Sequence, residues 1–160
     1  MCGIIGYVGP RECKQLLLQG LERLEYRGYD SAGIALREES GLEYVRAVGN
    51  LQNLKAAAGP NGSRSRHGLG HTRWATHGGV TEANAHPLTG CDDGKLSIVL
   101  NGIVENYREL ARGLQEEGHE FSSVTAPCVA QRVCPSPCVA VEPFGPAAVL
   151  RFCRLPTART

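Results

Sequence analysis

Apolar periodicity runs along this chain as far as about Ser123 and then stops, and that break limits what the polypeptide can fold into. Before it, strand patterns alternate with helical ones. Cys2–Gly9 (CGIIGYVG) reads as a short strand. Leu17, Leu21 and Leu24 then recur at spacings of four and three, one face of a helix that Gly28 ends. Ala32–Glu38 and Leu42–Val48 read as paired strands turned through Ser40 and Gly41. Asn50 is placed to cap a short helix carrying Leu51 and Leu54, and Gly59–Arg66 (GPNGSRSR) is a surface loop by composition. A strand over His67–Trp74 leads into a loop that reaches Gly94. Leu96–Leu100 (LSIVL) reads as a buried strand running into Asn101-Gly102. A helix over Glu105–Glu117 carries Tyr107, Leu110 and Leu114 on one face, and Gly118 stops it. His119–Ser123 starts one more strand. Strands with antiparallel-compatible turns and packed helices predict a layered α+β domain over residues 2–123.

The tail, residues 124–160, is different in kind. Residues 127–160 hold six prolines, four cysteines, four arginines and one glutamate, with no lysine, aspartate or asparagine. Proline at that density breaks helices and removes sheet donors. Cys134 and Cys138 form one close pair, whereas zinc sites favour two such pairs. A Pro/Cys/Arg-rich tail without an evolved fold is the expected outcome, and out-of-frame reading of a GC-rich gene near codon 123 would produce it.

Composition narrows the function classes. A length of 160 residues suits one domain, and 42% hydrophobic with 21% charged residues is the balance of a soluble globular protein. A net charge of +1 gives no reason to expect nucleic acid or an anionic membrane as partner. Neither a bilayer-length apolar run nor a signal-peptide pattern is present, so a cytoplasmic protein is expected. The seven cysteines are odd in number and unevenly spread, which argues against a disulfide framework.

Met1-Cys2-Gly3 carries the sharpest chemical signal. Removal of Met1 would leave a terminal cysteine, bringing a thiol and an α-amine together in one residue. A free α-amine titrates at about 7.7–8.0 and a thiol at about 8.5, so the amine can take the thiol proton near neutral pH. By itself a cysteine at position 2 is most often only a residue. Arg73, in His71–Gly78 (HTRWATHG), has the planar fork that grips a carboxylate by two parallel bonds, or it forms a structural ion pair. Asn101 and Gly102 offer a side-chain amide and a backbone N–H for an oxyanion, or a plain turn. Arg27–Ser31 (RGYDS) is a polar loop of the sort that holds binding residues. His71 and His77 lack a well-placed third ligand, so no metal site is expected. Trp74, by residue type, is more often a core residue than a gate.

Taken together, Leu24–Gly33 (LEYRGYDSAG), HTRWATHG, Asn84–Pro87 (NAHP) and Asn101–Tyr107 (NGIVENY) resemble class II glutamine amidotransferases. The wording is close to the branch of glutamine–fructose-6-phosphate aminotransferases, and the resemblance runs from Cys2 to about Ser123. It implies an N-terminal nucleophile (Ntn) hydrolase αββα sandwich, here incomplete, and no cofactor. It implies that Cys2 attacks the glutamine carboxamide while Asn101 and Gly102 form the oxyanion hole. It further implies that Arg73, Thr76 and His77 seat glutamine and that Trp74 guards the ammonia channel. Fructose 6-phosphate would bind only through C-terminal domains that this sequence does not contain. The resemblance also expects an aspartate for the α-ammonium of glutamine where this chain has Ala126.

Overall fold

A computed structural model describes residues 2–60, 62–75, 78–89, 97–101 and 106–118, and the backbone of 139–144 and 147–152. Four strands, β1 (Gly3–Val8), β2 (Ser31–Glu38), β3 (Gly41–Val48) and β4 (His67–Arg73), form one antiparallel sheet in the order β1-β4-β2-β3. The β2–β3 pairing runs from Ser31 opposite Val48 to Glu38 opposite Gly41, as the alternation and the Ser40-Gly41 turn predict. β4 lies between β1 and β2, with Thr72 opposite both Gly3 and Ala32.

Two helices, α1 (Lys14–Glu22) and α2 (Leu51–Ala58), cover one face of this sheet. Leu17, Leu18 and Leu21 of α1 and Leu51 and Leu54 of α2 meet Ala32, Ile34 and Leu36 of β2 in a buried core. Leu24 falls outside α1. Its N–H donates to Leu21 O at 2.9 Å, an i to i−3 bond that tightens the last turn before a 3₁₀ turn over Glu25–Arg27. Gly28 then leaves with φ +70°, where a β-carbon is disfavoured.

Asn50 caps α2 as its residue type suggests, accepting from Asn53 N–H at 3.2 Å. At the other end Lys14 of α1 donates to the carbonyls of Ala58 and Gly59, placing a buried cation on the negative end of α2. Leu21 touches none of the site chemistry and is fully buried. Leu21→Ala is expected to cost about 2–5 kcal/mol in a urea melt, because the hole between α1 and β4 cannot close.

The second sheet has the order β5-β6-β7-β8, with β5 (Leu88–Thr89), β6 (Ser97–Ile98), β7 (Val139–Phe144) and β8 (Ala147–Phe152). The described part of the expected Leu96–Leu100 strand pairs only through Ser97 and Ile98. The helix expected over Glu105–Glu117 is α3 (Tyr107–Glu116), closed by Gly118 at φ +88°, and Tyr107, Leu110 and Leu114 are half-buried. The strand expected at 119–123 lies outside the described residues.

Within the tail the described residues form one hairpin. This β7–β8 hairpin pairs Val139 with Phe152 and Phe144 with Ala147. The proline count hid two stretches rich in branched apolar residues (VAV and AVLRF) on either side of Gly145-Pro146, a turn dipeptide by composition. Among the described residues β6 pairs with Val141 and Ala140, short of Pro143.

The loop before β5 packs on the face of the first sheet opposite the helices, where His86 stacks on His71. Gly33 of β2 sits where a β-carbon would collide with the carbonyl of His86, so the chain before β5 presses directly on the first sheet. With helices over one face of the first sheet and a second sheet over the other, β2 is buried along six successive residues.

Candidate active site

Because Thr72 sits opposite Gly3, the pairing of β1 with β4 brings Cys2 level with the end of β4. Thr72 Oγ1 accepts from Gly3 N–H at 3.0 Å, and the N–H of Trp74 donates to Cys2 Sγ at 3.3 Å. That backbone donor ties the sulfur to the end of β4. Asn101 follows β6 from the other sheet, and its Nδ2 donates to Cys2 O at 3.3 Å. Cys2 therefore touches both Trp74 and Asn101, although 72 and 99 residues of sequence separate it from them. Gly102, Thr76 and His77 lie outside the described residues.

Arg73 is buried at 5% exposure, and its Nη1 donates to Gly79 O at 3.3 Å. Trp74 is 52% exposed, so the expectation of a core residue does not hold. Its ring lies over Gly28, where an added β-carbon would approach Trp74 Cζ3 to 3.1 Å. The exposed tryptophan therefore rests on a glycine beside Cys2.

In the sequence Asp30 is only one member of a polar loop, yet it organises this corner. Its N–H donates to Arg73 O at 2.8 Å, and its carboxylate accepts from Ala75 N–H, so it grips the chain on both sides of Trp74. Its carbonyl accepts from Gly49 N–H at 2.8 Å and ties in β3. Neighbouring Tyr29 accepts from Leu51 N–H at 2.6 Å and donates to Glu25. Burial and the Glu25 carboxylate push the Tyr29 hydroxyl up to about 12, so it remains a donor.

Two histidines occupy the gap between the sheets. His71 on β4 and His86 in the loop before β5 stack with ring centroids 4.6 Å apart. Both His71 nitrogens and Nδ1 of His86 are buried and have no hydrogen-bond partner among the described residues. Burial, then His86 and Arg73, drive His71 well below the usual histidine range. Burial, then Arg73 and Arg46, lower His86 to about 3. Among the described residues no group of three or more His, Cys, Asp or Glu side chains comes together to hold a metal ion.

Both rings are neutral in the fold, while the unfolded chain takes up protons below its ordinary histidine value of about 6.5. Stability is therefore expected to fall as pH drops below about 6.5, and His86 keeps adding to the loss until about 3. Urea midpoints measured between about pH 7 and 5, above the carboxylate range, should decline. The His71→Gln/His86→Gln double variant should flatten that decline.

Comparison with known proteins supplies a second line of observation. Residues 55–129 match the glutamine amidotransferase domain family. Glutamine–fructose-6-phosphate aminotransferase of Thermus thermophilus is 54% identical over 125 residues, 78% of this chain and 20% of that protein. The enzymes of the same name from Thermosynechococcus vestitus and Gloeobacter violaceus are each 56% identical over the same shares. The chain thus spans about a fifth of the length of the curated relatives it matches. Among solved structures, the glutamine phosphoribosylpyrophosphate amidotransferase of B. subtilis superposes with a TM-score of 0.67 at 24% identity, covering 84% of this chain and 30% of that one. A structure described as the allosteric regulatory enzyme of purine biosynthesis superposes at 0.64 with 26% identity, covering 76% and 26%. These superpositions agree with the α+β N-terminal nucleophile sandwich, incomplete in this chain.

Proposed function

We propose that Cys2, freed at the N-terminus by removal of Met1, hydrolyses glutamine to glutamate and ammonia, a reading supported by the match of residues 55–129 to the glutamine amidotransferase domain family and by the 125 residues aligned with glutamine–fructose-6-phosphate aminotransferase. The α-amine of Cys2 takes the thiol proton as Sγ attacks the carboxamide carbon. Asn101 Nδ2 and the Gly102 N–H hold the oxyanion of the tetrahedral intermediate. The same proton then leaves with the amide nitrogen as ammonia, and water releases glutamate from the thioester. Arg73 grips the α-carboxylate, Thr76 and His77 help seat the substrate, and Trp74 covers it.

The observation that carries this reading is the meeting of Cys2 Sγ with Trp74 N–H, one residue from Arg73, beside the Asn101 amide. In the whole enzymes of the same family name the acceptor is fructose 6-phosphate, and we extend that acceptor, and the product glucosamine 6-phosphate, to the protein this sequence represents. Sugar binding would fall to parts of those enzymes outside the fifth that this chain matches. We place the chemistry in the cytoplasm; no helix among the described residues is long and apolar enough to cross a membrane.

One feature favours a second reading. Ala126, outside the described residues, replaces the expected ammonium-binding carboxylate, and on that reading the chain keeps the fold as a glutamine-binding or partner subunit without turnover. Treatment with a glutamine-like electrophile separates the two. Modification of Cys2 together with glutamate release supports the enzyme; reversible binding with Cys2 unmodified supports the second reading and sinks the first.

A further inference from the structure

The Asn84–Pro87 motif (NAHP) takes no part in the chemistry above, yet its first residue reaches the substrate-binding arginine through a single carbonyl. The chain leaves β4 at Arg73 and returns through a 3₁₀ turn over Glu82–Asn84. Within that excursion the Gly79 carbonyl accepts two donors, Arg73 Nη1 at 3.3 Å and Asn84 Nδ2 at 3.1 Å. A carbonyl oxygen has two lone pairs, so both bonds are made together.

Asn84 is an anchored reference point. It is only 6% exposed, and its N–H donates to Thr81 Oγ1 at 3.3 Å and to Thr81 O at 3.2 Å. Two residues on, His86 stacks against His71, and its carbonyl lies against Gly33. Gly79 and Val80, by contrast, are exposed. The guanidinium thus takes one of its bearings from a carbonyl in an exposed stretch, and Asn84 ties that carbonyl to the buried seam between the sheets. Arg73 has further contacts in the fold, so loss of this bearing re-aims the group without freeing it.

We propose that Asn84 is a positioning residue, holding the Gly79 carbonyl so that Arg73 presents its remaining donors to the α-carboxylate of glutamine. This rests on the carboxylate-clamp reading of Arg73 given above. The role is one of specificity: Asn84 sets how well the site distinguishes a ligand bearing the carboxylate from one that lacks it.

The test compares alkylation of Cys2 in the full chain by two electrophiles, followed by mass spectrometry. One is iodoacetamide, which carries no carboxylate. The other is 6-diazo-5-oxo-L-norleucine, a glutamine-like diazoketone that carries the amino acid head group. In Asn84→Ala and Asn84→Asp the diazoketone rate should fall about 5- to 50-fold while the iodoacetamide rate stays within about twofold. Thr81→Ala loosens the same turn but keeps the amide bond to Gly79, so both rates should stay within about twofold. Equal loss with both reagents, an unchanged ratio in a folded Asn84 variant, or failure of both Asn84 variants to fold would each overturn the proposal. Were the parent chain to show no preference for the diazoketone, the clamp reading of Arg73 would fall first, and this inference with it.

Discussion

Cys2→Ala is expected to abolish glutamate release while leaving the chain folded. In this reading the sulfur is the group that attacks the carboxamide, and the methyl group of alanine has no lone pair to offer. Removing the nucleophile of a well-characterised hydrolase costs on the order of 10⁶-fold in turnover, and a loss of that size leaves only background here. Stability should change little. Cys2 is half-buried, and its side chain accepts one backbone bond, from Trp74 at 3.3 Å, so the melt should shift by less than about 1 kcal/mol. Glutamate quantified by mass spectrometry against a no-protein control is the measurement. Residual turnover in Cys2→Ala above about a tenth of the parent's, a barrier change of under about 1.4 kcal/mol, would remove Cys2 from the mechanism.

Ala126→Asp is expected to tighten glutamine binding by about 10- to 100-fold. An added carboxylate would supply the charge-assisted bond to the α-ammonium that this chain lacks, worth about 1.5–3 kcal/mol. The gain should depend on the ligand: glutamine improves, whereas a glutamine analogue without its α-amine does not. Calorimetry in the Cys2→Ala background reads affinity without turnover. Equal affinities for glutamine with and without the Ala126→Asp substitution would place residue 126 away from the substrate and undo the alignment on which the substitution rests. A gain would support the further proposal that the sequence after Ser123 is read out of frame. Translating the same nucleotides in the other two frames tests that directly, since one of them should continue the domain.

Local signals were the legible ones. The β2–β3 hairpin follows from alternation and a turn dipeptide, the start of α2 from Asn50, and the end of α3 from Gly118. Each rests on contacts within a few residues. The meeting of Cys2 with Trp74 and Asn101 was suggested by motif wording, which carries information that periodicity does not. Asp30 could not be given its part, since gripping Ala75 spans 45 residues of sequence and depends on β2 lying beside β4. The stack of His71 on His86 was hidden for the same reason, because it exists only once the loop before β5 folds against Gly33. For Trp74 the residue type favoured a core position over a gate, because hydrophobicity alone does not tell a buried ring from an exposed one laid over a glycine. In the tail, overall proline content outweighed two short branched-apolar runs that pair as β7 and β8.

The interior placement of β4 separates the site into parts of unequal permanence. β4 is paired on both sides, whereas β1 borders the sheet with β4 as its one strand partner among the described residues. Amide protons of an inner strand exchange with solvent only in openings close to global unfolding, while a border strand frays from its end at much lower cost. Arg73, at the end of β4, is therefore expected to exchange slowly, and Cys2, just before β1, to exchange sooner. On the proposed mechanism, hydrogen exchange is expected to show the segment carrying the nucleophile opening many times for each opening of the strand that carries the clamp.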